Sequence, residues 1–78
     1  MDHLHSLAIN DEGFVFDPST GQSFSVNSTG LRILRALMAH QQPAHISRDF
    51  ISDYGLTLEE AERDVSDFLD HLRIFKLL

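Results

Sequence analysis

The chain has no cysteine and no tryptophan, two prolines, four glycines, and six basic residues against twelve acidic ones. Without cysteine there is no disulfide staple, no thiolate nucleophile and no cysteine-based metal site. So few glycines provide no glycine-rich phosphate loop. The shortage of Lys and Arg leaves a net charge of −6, which repels a phosphate backbone. No apolar run approaches the roughly 20 residues of a membrane span. Met1-Asp2-His3 lacks the basic start of a signal peptide, and no apolar stretch follows it. These absences argue for a soluble, cytoplasmic chain with no nucleic-acid partner and no membrane partner.

At 78 residues the chain is one domain, 1–78. A domain of this size buries only about 60% of its unfolded surface. Its hydrophobic content of 42% supplies one compact core and excludes a disordered chain.

The N-terminal third alternates with a period of two. Leu7 and Ile9 alternate with Ala8 and Asn10, Phe14 and Phe16 share a face, and Phe24 and Val26 oppose Ser23 and Ser25. Asn10-Asp11-Glu12-Gly13 and Asp17-Pro18-Ser19-Thr20-Gly21 supply turn chemistry between these runs, with Gly13 suited to positive φ. Short connections between consecutive strands predict an antiparallel meander of three.

The period then becomes helical. Asn27 or Ser28 caps a first helix whose stripe is Leu31, Leu34, Leu37 and Met38, and Gln41-Gln42-Pro43 ends it. Gly30 in its first turn points to close approach by a neighbouring strand. A second helix is predicted from about Ile46 or Ser47 to Tyr54, with Ile46, Phe50 and Tyr54 on one face and Gly55 as a left-handed cap. The last begins at a capping box, Thr57 with Glu60, and carries Leu58, Ala61, Val65, Phe68, Leu69 and Leu72 at helical spacing toward Leu78. The order β-β-β-α-α-α describes an α+β, winged helix-turn-helix-like domain.

Catalytic constellations are missing. No Gly-x-Ser-x-Gly elbow accompanies the serines. The acids of the last helix form no evident paired-carboxylate cleft. The five histidines His3, His5, His40, His45 and His71 include no pair three or four apart on a helix. No enzyme activity, no metal and no cofactor are expected. A short domain ending in an apolar stripe flanked by acid reads as a module that holds something.

Several stretches together resemble the PqqD family, the pyrroloquinoline quinone biosynthesis protein D group and its relatives. They are Phe16-Asp17, Thr20-Gly21, Phe24-Ser25-Val26-Asn27-Ser28-Thr29-Gly30, Ile33-Leu34, Asp53-Tyr54-Gly55, Asp64 to Leu72, and Leu77-Leu78. The likeness runs from about Leu7 to Leu78. It implies a recognition domain that binds the leader of a ribosomally made precursor peptide and presents it to a modifying enzyme, often of the radical SAM type. In the family the leader adds as a strand beside the third strand, over the third helix. Two positions differ from the family pattern. His40-Gln41-Gln42-Pro43 follows the first helix where an acidic residue and glycine are usual, and Phe75-Lys76 stands where a glycine precedes the final leucines. These differences favour a relative that serves another peptide than the quinone precursor.

The residues suit that role. Gln22-Ser23-Phe24-Ser25-Val26 carries no charge and no proline, so nothing within it blocks an incoming strand. Backbone pairing would supply affinity, and pockets on the last helix specificity. The candidate peptide-binding residues are Gln22, Ser23, Phe24, Ser25 and Val26 with Asp64, Val65, Phe68, Leu69 and Leu72. Phe24, Val26, Val65, Phe68 and Leu72 also read as plain core. Asp64, Asp67 and Asp70 either meet basic residues of a leader or form a solvated face, and Asp64 has a third reading as partner to an arginine of the first helix. His71 sits near the groove or on open surface. Two other classes compete with this reading: a winged-helix DNA-binding regulator, and a protein–protein adaptor or homodimer using the same groove. A monomer or weak dimer is expected.

Overall fold

The computed structural model describes residues 4–77. A short 3-10 turn, Leu4–Ser6, leads into strands β1 (Ala8–Ile9), β2 (Phe14–Asp17) and β3 (Gln22–Ser25). Helices α1 (Ser28–Met38), α2 (Pro43–Tyr54) and α3 (Leu58–Ile74) follow. The strands form one antiparallel sheet in the order β1-β2-β3, so the winged-helix-like α+β architecture read from the sequence is present.

Each turn has its own chemistry. The Asn10 side chain accepts from the N–H groups of Glu12 and Phe14, both at 3.0 Å. Gly13 takes φ +91°, and a Cβ there would lie 2.3 Å from the Val26 carbonyl oxygen. Only glycine lets the two chains meet so closely. In the second turn Asp17 is buried, and its carboxylate accepts from the Ser19 N–H at 2.9 Å and the Ser19 hydroxyl at 2.6 Å.

Val15 and Asp17 are the buried residues of β2, whereas Phe14 and Phe16 are exposed. The face shared by the two phenylalanines is therefore the outer one. The inner face, with Ile9, Val15 and Phe24, lies against a core of Leu4, Leu7, Leu34, Leu72 and Leu77. A second core cluster of Ile33, Ile46, Phe50, Ala61 and Val65 joins the three helices. Phe68 and Leu37 touch both clusters and make them continuous.

The helices depart from their sequence reading in three places. Asn27 caps α1, accepting from the Gly30 N–H at 2.8 Å, but the fully buried apolar positions are Ile33 and Leu34 rather than Leu31. Pro43 stands at the first turn of α2, so that helix begins three or four residues before the expected Ile46 or Ser47. Proline is disfavoured inside a helix but preset for its first turn, where its missing N–H has no partner to lose. Leu58 of the expected α3 stripe is 60% exposed, since the first turn of α3 projects beyond the core.

Both α1 and α3 end in the same way. His40 (φ 64°) and Lys76 (φ 59°) adopt the left-handed conformation. After α1 the N–H groups of Gln41 and His40 donate to Ala36 and Leu37; after α3 those of Leu77 and Lys76 donate to Leu72 and Arg73. This is the Schellman pattern, usually served by glycine. After α3 it turns the chain inward and buries Leu77. The two sequence differences from the family pattern thus fall on the two helix ends that carry non-glycine residues in left-handed geometry.

Candidate functional site

β3 is a border of the sheet. The Val26 N–H donates to the Gly13 carbonyl at 2.9 Å, so Gly13 and Val26 form a hydrogen-bonded pair. Such pairs alternate with unbonded ones along an antiparallel ladder. In the observed register Val15–Phe24 and Asp17–Gln22 are then bonded pairs, while Phe14–Ser25 and Phe16–Ser23 are not. The N–H and C=O groups of Ser23 and Ser25 consequently point away from β2. No described residue of the chain pairs with them.

Beside this border runs a cleft of about 470 Å³ between β3, the start of α1 and the part of α3 from Asp64 onward. Phe24, Ser25, Val26 and Asn27 form one wall, and Thr29, Gly30 and Ile33 close it from α1. Asp64, Asp67, Phe68, His71 and Leu72 form the α3 wall, with Phe75 just past the helix. The stripe Asp64, Asp67/Phe68, His71, Phe75 recurs every three to four residues, which places it on one flank of α3.

Two aromatic features shape the cleft. The Phe24 and Phe75 rings stack with centroids 5.1 Å apart at 3°, and the His71 ring lies 5.3 Å from Phe75. A Cβ on Gly30 would lie 2.8 Å from Phe68 Cε1. The close approach expected at Gly30 is therefore real, but its neighbour is α3 and not a strand. Gly30 leaves room for the Phe68 ring beside the first turn of α1.

The ten candidate residues divide by position. Phe24, Ser25, Val26, Asp64, Phe68 and Leu72 line the cleft. Gln22 and Ser23 lie on the same border beyond its end, Ser23 beside the exposed Phe14 and Phe16. Val65 is buried in the helical core and Leu69 packs against that cluster; neither lines the cleft. Both belong to the α2-facing flank, to which an apolar stripe one position wide gave no boundary. Asp67, His71, Phe75, Gly30, Thr29, Asn27 and Ile33 complete the lining. The i, i+3/i+4 series through Asp64 was the signal for Asp67, His71 and Phe75; on α1 the signal was Gly30 in the first turn, read there as an approach to a strand.

Charge separates further. Asp70, grouped with Asp64 and Asp67 in the sequence, points elsewhere and accepts from Arg73 at 2.7 Å. The helix-one arginines do not reach Asp64: Arg32 pairs with Asp53, and Arg35 pairs with Asp11 at 2.6 Å. Arg32 also lies over the Phe50 and Tyr54 rings. Its hydrogen bonds, first to Tyr54 and then to Asp53, push its pKa up and keep it charged. Arginines engaged in this way are not presented to phosphates, as a DNA-reading surface requires. Among the described residues no group of three or more His, Asp or Glu is gathered for a metal. No helix among them is long and apolar enough to cross a membrane.

Comparison with known proteins agrees with this geometry. The family model for coenzyme PQQ synthesis protein D (PqqD) matches residues 12–78. A solved structure of a lasso peptide synthetase B1 complexed with the leader peptide is similar to this chain, with a TM-score of 0.79 and 25% identity. The match covers 91% of this chain and 85% of that one. No curated protein matches.

Proposed function

The chain belongs to the PqqD family, and we propose that it binds the leader segment of a ribosomally made precursor peptide by strand addition to β3. The observation that carries this is the free border of Ser23 and Ser25 beside an open cleft. An extended guest would take its backbone hydrogen bonds from Ser23 and Ser25 and place alternate side chains in the cleft. The similar lasso peptide synthetase B1, solved with a leader peptide, supports the same class of guest.

The domain holds and presents the peptide, and chemistry is supplied by a modifying enzyme of the radical SAM type or another class. The small open cleft, lined by aromatic and aliphatic side chains with two hydroxyls, one amide, one imidazole and two carboxylates, supports holding rather than turnover. One chain contains both walls, so a monomer suffices, and a cytoplasmic setting suits the cysteine-free composition.

Replacing Ser25 by proline tests the reading. Its N–H faces away from β2, so proline there removes no ladder bond of the sheet but deletes a donor to the guest. A leader peptide that binds the native chain in titration should fail to bind Ser25→Pro, while the circular dichroism of the variant stays native. Undiminished binding by the folded variant would refute strand addition.

A further inference from the structure

The two ends of the cleft differ in chemistry. β3 and α3 run in opposite directions along it: Phe24 meets Phe75, whereas Gly30, further along the chain, meets Phe68, nearer Asp64 on α3. Asp64 and Asp67 take part in none of the ion pairs found among the described residues. No Lys or Arg lines the cleft to neutralise them. At the other end Phe24, Leu72 and Phe75 form an apolar pocket.

Asp67 and Phe75 lie eight positions apart along and just past α3, about 12 Å at the helical rise. An extended chain covers that length in about four residues. Four is an even step, so both side chains of such a guest face the cleft. Resting on the peptide-binding reading above, we propose that the cleft selects extended peptides by two side chains about four residues apart: a Lys or Arg at the Asp64–Asp67 end and a large apolar residue at the Phe24–Phe75 end.

The pairing has a physical basis at each end. A cation meets two carboxylates at the mouth of a cleft walled by low-dielectric side chains, which strengthens the attraction over open water. An apolar side chain against Phe24 and Phe75 extends an aromatic stack already in place. A guest with the two residues three apart would turn one of them to the outer face of the sheet.

Selection of a random nine-residue peptide library on the full chain tests this. Enriched peptides should carry Lys or Arg four positions from Phe, Tyr or Leu. The double variant Asp64→Asn/Asp67→Asn should bind them roughly five- to tenfold more weakly at low salt. It should bind analogues with norleucine for the cation as well as the native chain does. Enriched peptides that shift the Ser23 and Ser25 amide resonances yet show no preference for a cation would overturn this inference and leave leader binding standing. Absence of any selected peptide that shifts those amides would overturn both.

Discussion

The two flanks of α3 are built from one sequence stretch and meet different fates. Toward α2, Ala61 and Val65 are closed over by Ile46 and Phe50, and no space remains. Toward β3, Asp64, Asp67, Phe68 and His71 overlook an open cleft. The difference lies in what each flank faces. A helix offers side chains that interdigitate with those of α3, whereas the border of β3 offers outward-directed amides and carbonyls that no side chain of α3 pairs with. Dry packing stabilises the fold on one side, and on the other the unpaired border awaits a chain with its own backbone groups.

The sharpest way to break this comparison is Phe50→Ala on the closed flank. Phe50 is fully buried, and truncation of such a ring costs about 3–5 kcal/mol. In a small domain that is a large share of total stability, so thermal melting should fall steeply. A comparable loss from Phe68→Ala, whose side chain lies partly in the cleft, would erase the distinction between the flanks.

Gly30→Ala sharpens it from the other side. Alanine gains up to about 1 kcal/mol of helix propensity but drives the Phe68 ring into the cleft. The melting temperature should hold near its native value while leader affinity falls about tenfold, or about 1.4 kcal/mol. Calorimetric titration beside a melting curve reads both.

Lys76→Gly addresses the helix end that anchors the cleft. Lysine in the left-handed region costs about 1 kcal/mol that glycine does not. The variant should resist denaturant better by about that amount and keep its affinity for the leader, because Lys76 does not line the cleft.

The smallest effect is a pH dependence at the start of α3. The Thr57 backbone N–H, and then its side chain, hold the Glu60 carboxylate below the ordinary carboxylate pKa of 4.5. A lowered folded pKa means the contribution is present above that ordinary value and is lost as pH falls through the folded one. Glu60→Gln keeps a capping box and should flatten this part of the acid limb in stability measured between about pH 5 and pH 2.

Local features were legible in the sequence because their causes are local. The Thr57–Glu60 capping box forms as read, with bonds of 2.9 and 3.1 Å. Asn27 and Gly55 cap their helices, and Gly13 takes positive φ. The border strand was legible from a run without charge or proline. What the residues alone did not disclose depends on tertiary context. Pro43 serves equally to end one helix or to begin the next, and only the packing of Ile46 and Phe50 under α3 decides between them. Val65 and Leu69 share a stripe with Phe68 and Leu72, and a stripe does not show where its buried part ends and its cleft-facing part begins. Phe75 continues the spacing of the series through Asp64, but spacing along one helix does not show that its ring stacks on Phe24.

Amide hydrogen exchange at β3, with and without the leader, tests the central claim most directly. In the free chain the Phe24 and Val26 amides should exchange slowly because they bond to β2 and to the Gly13 carbonyl just before it, and those of Ser23 and Ser25 fast. At saturating leader the Ser23 and Ser25 amides should become protected as well. Fast exchange of both in the saturated complex would contradict the account.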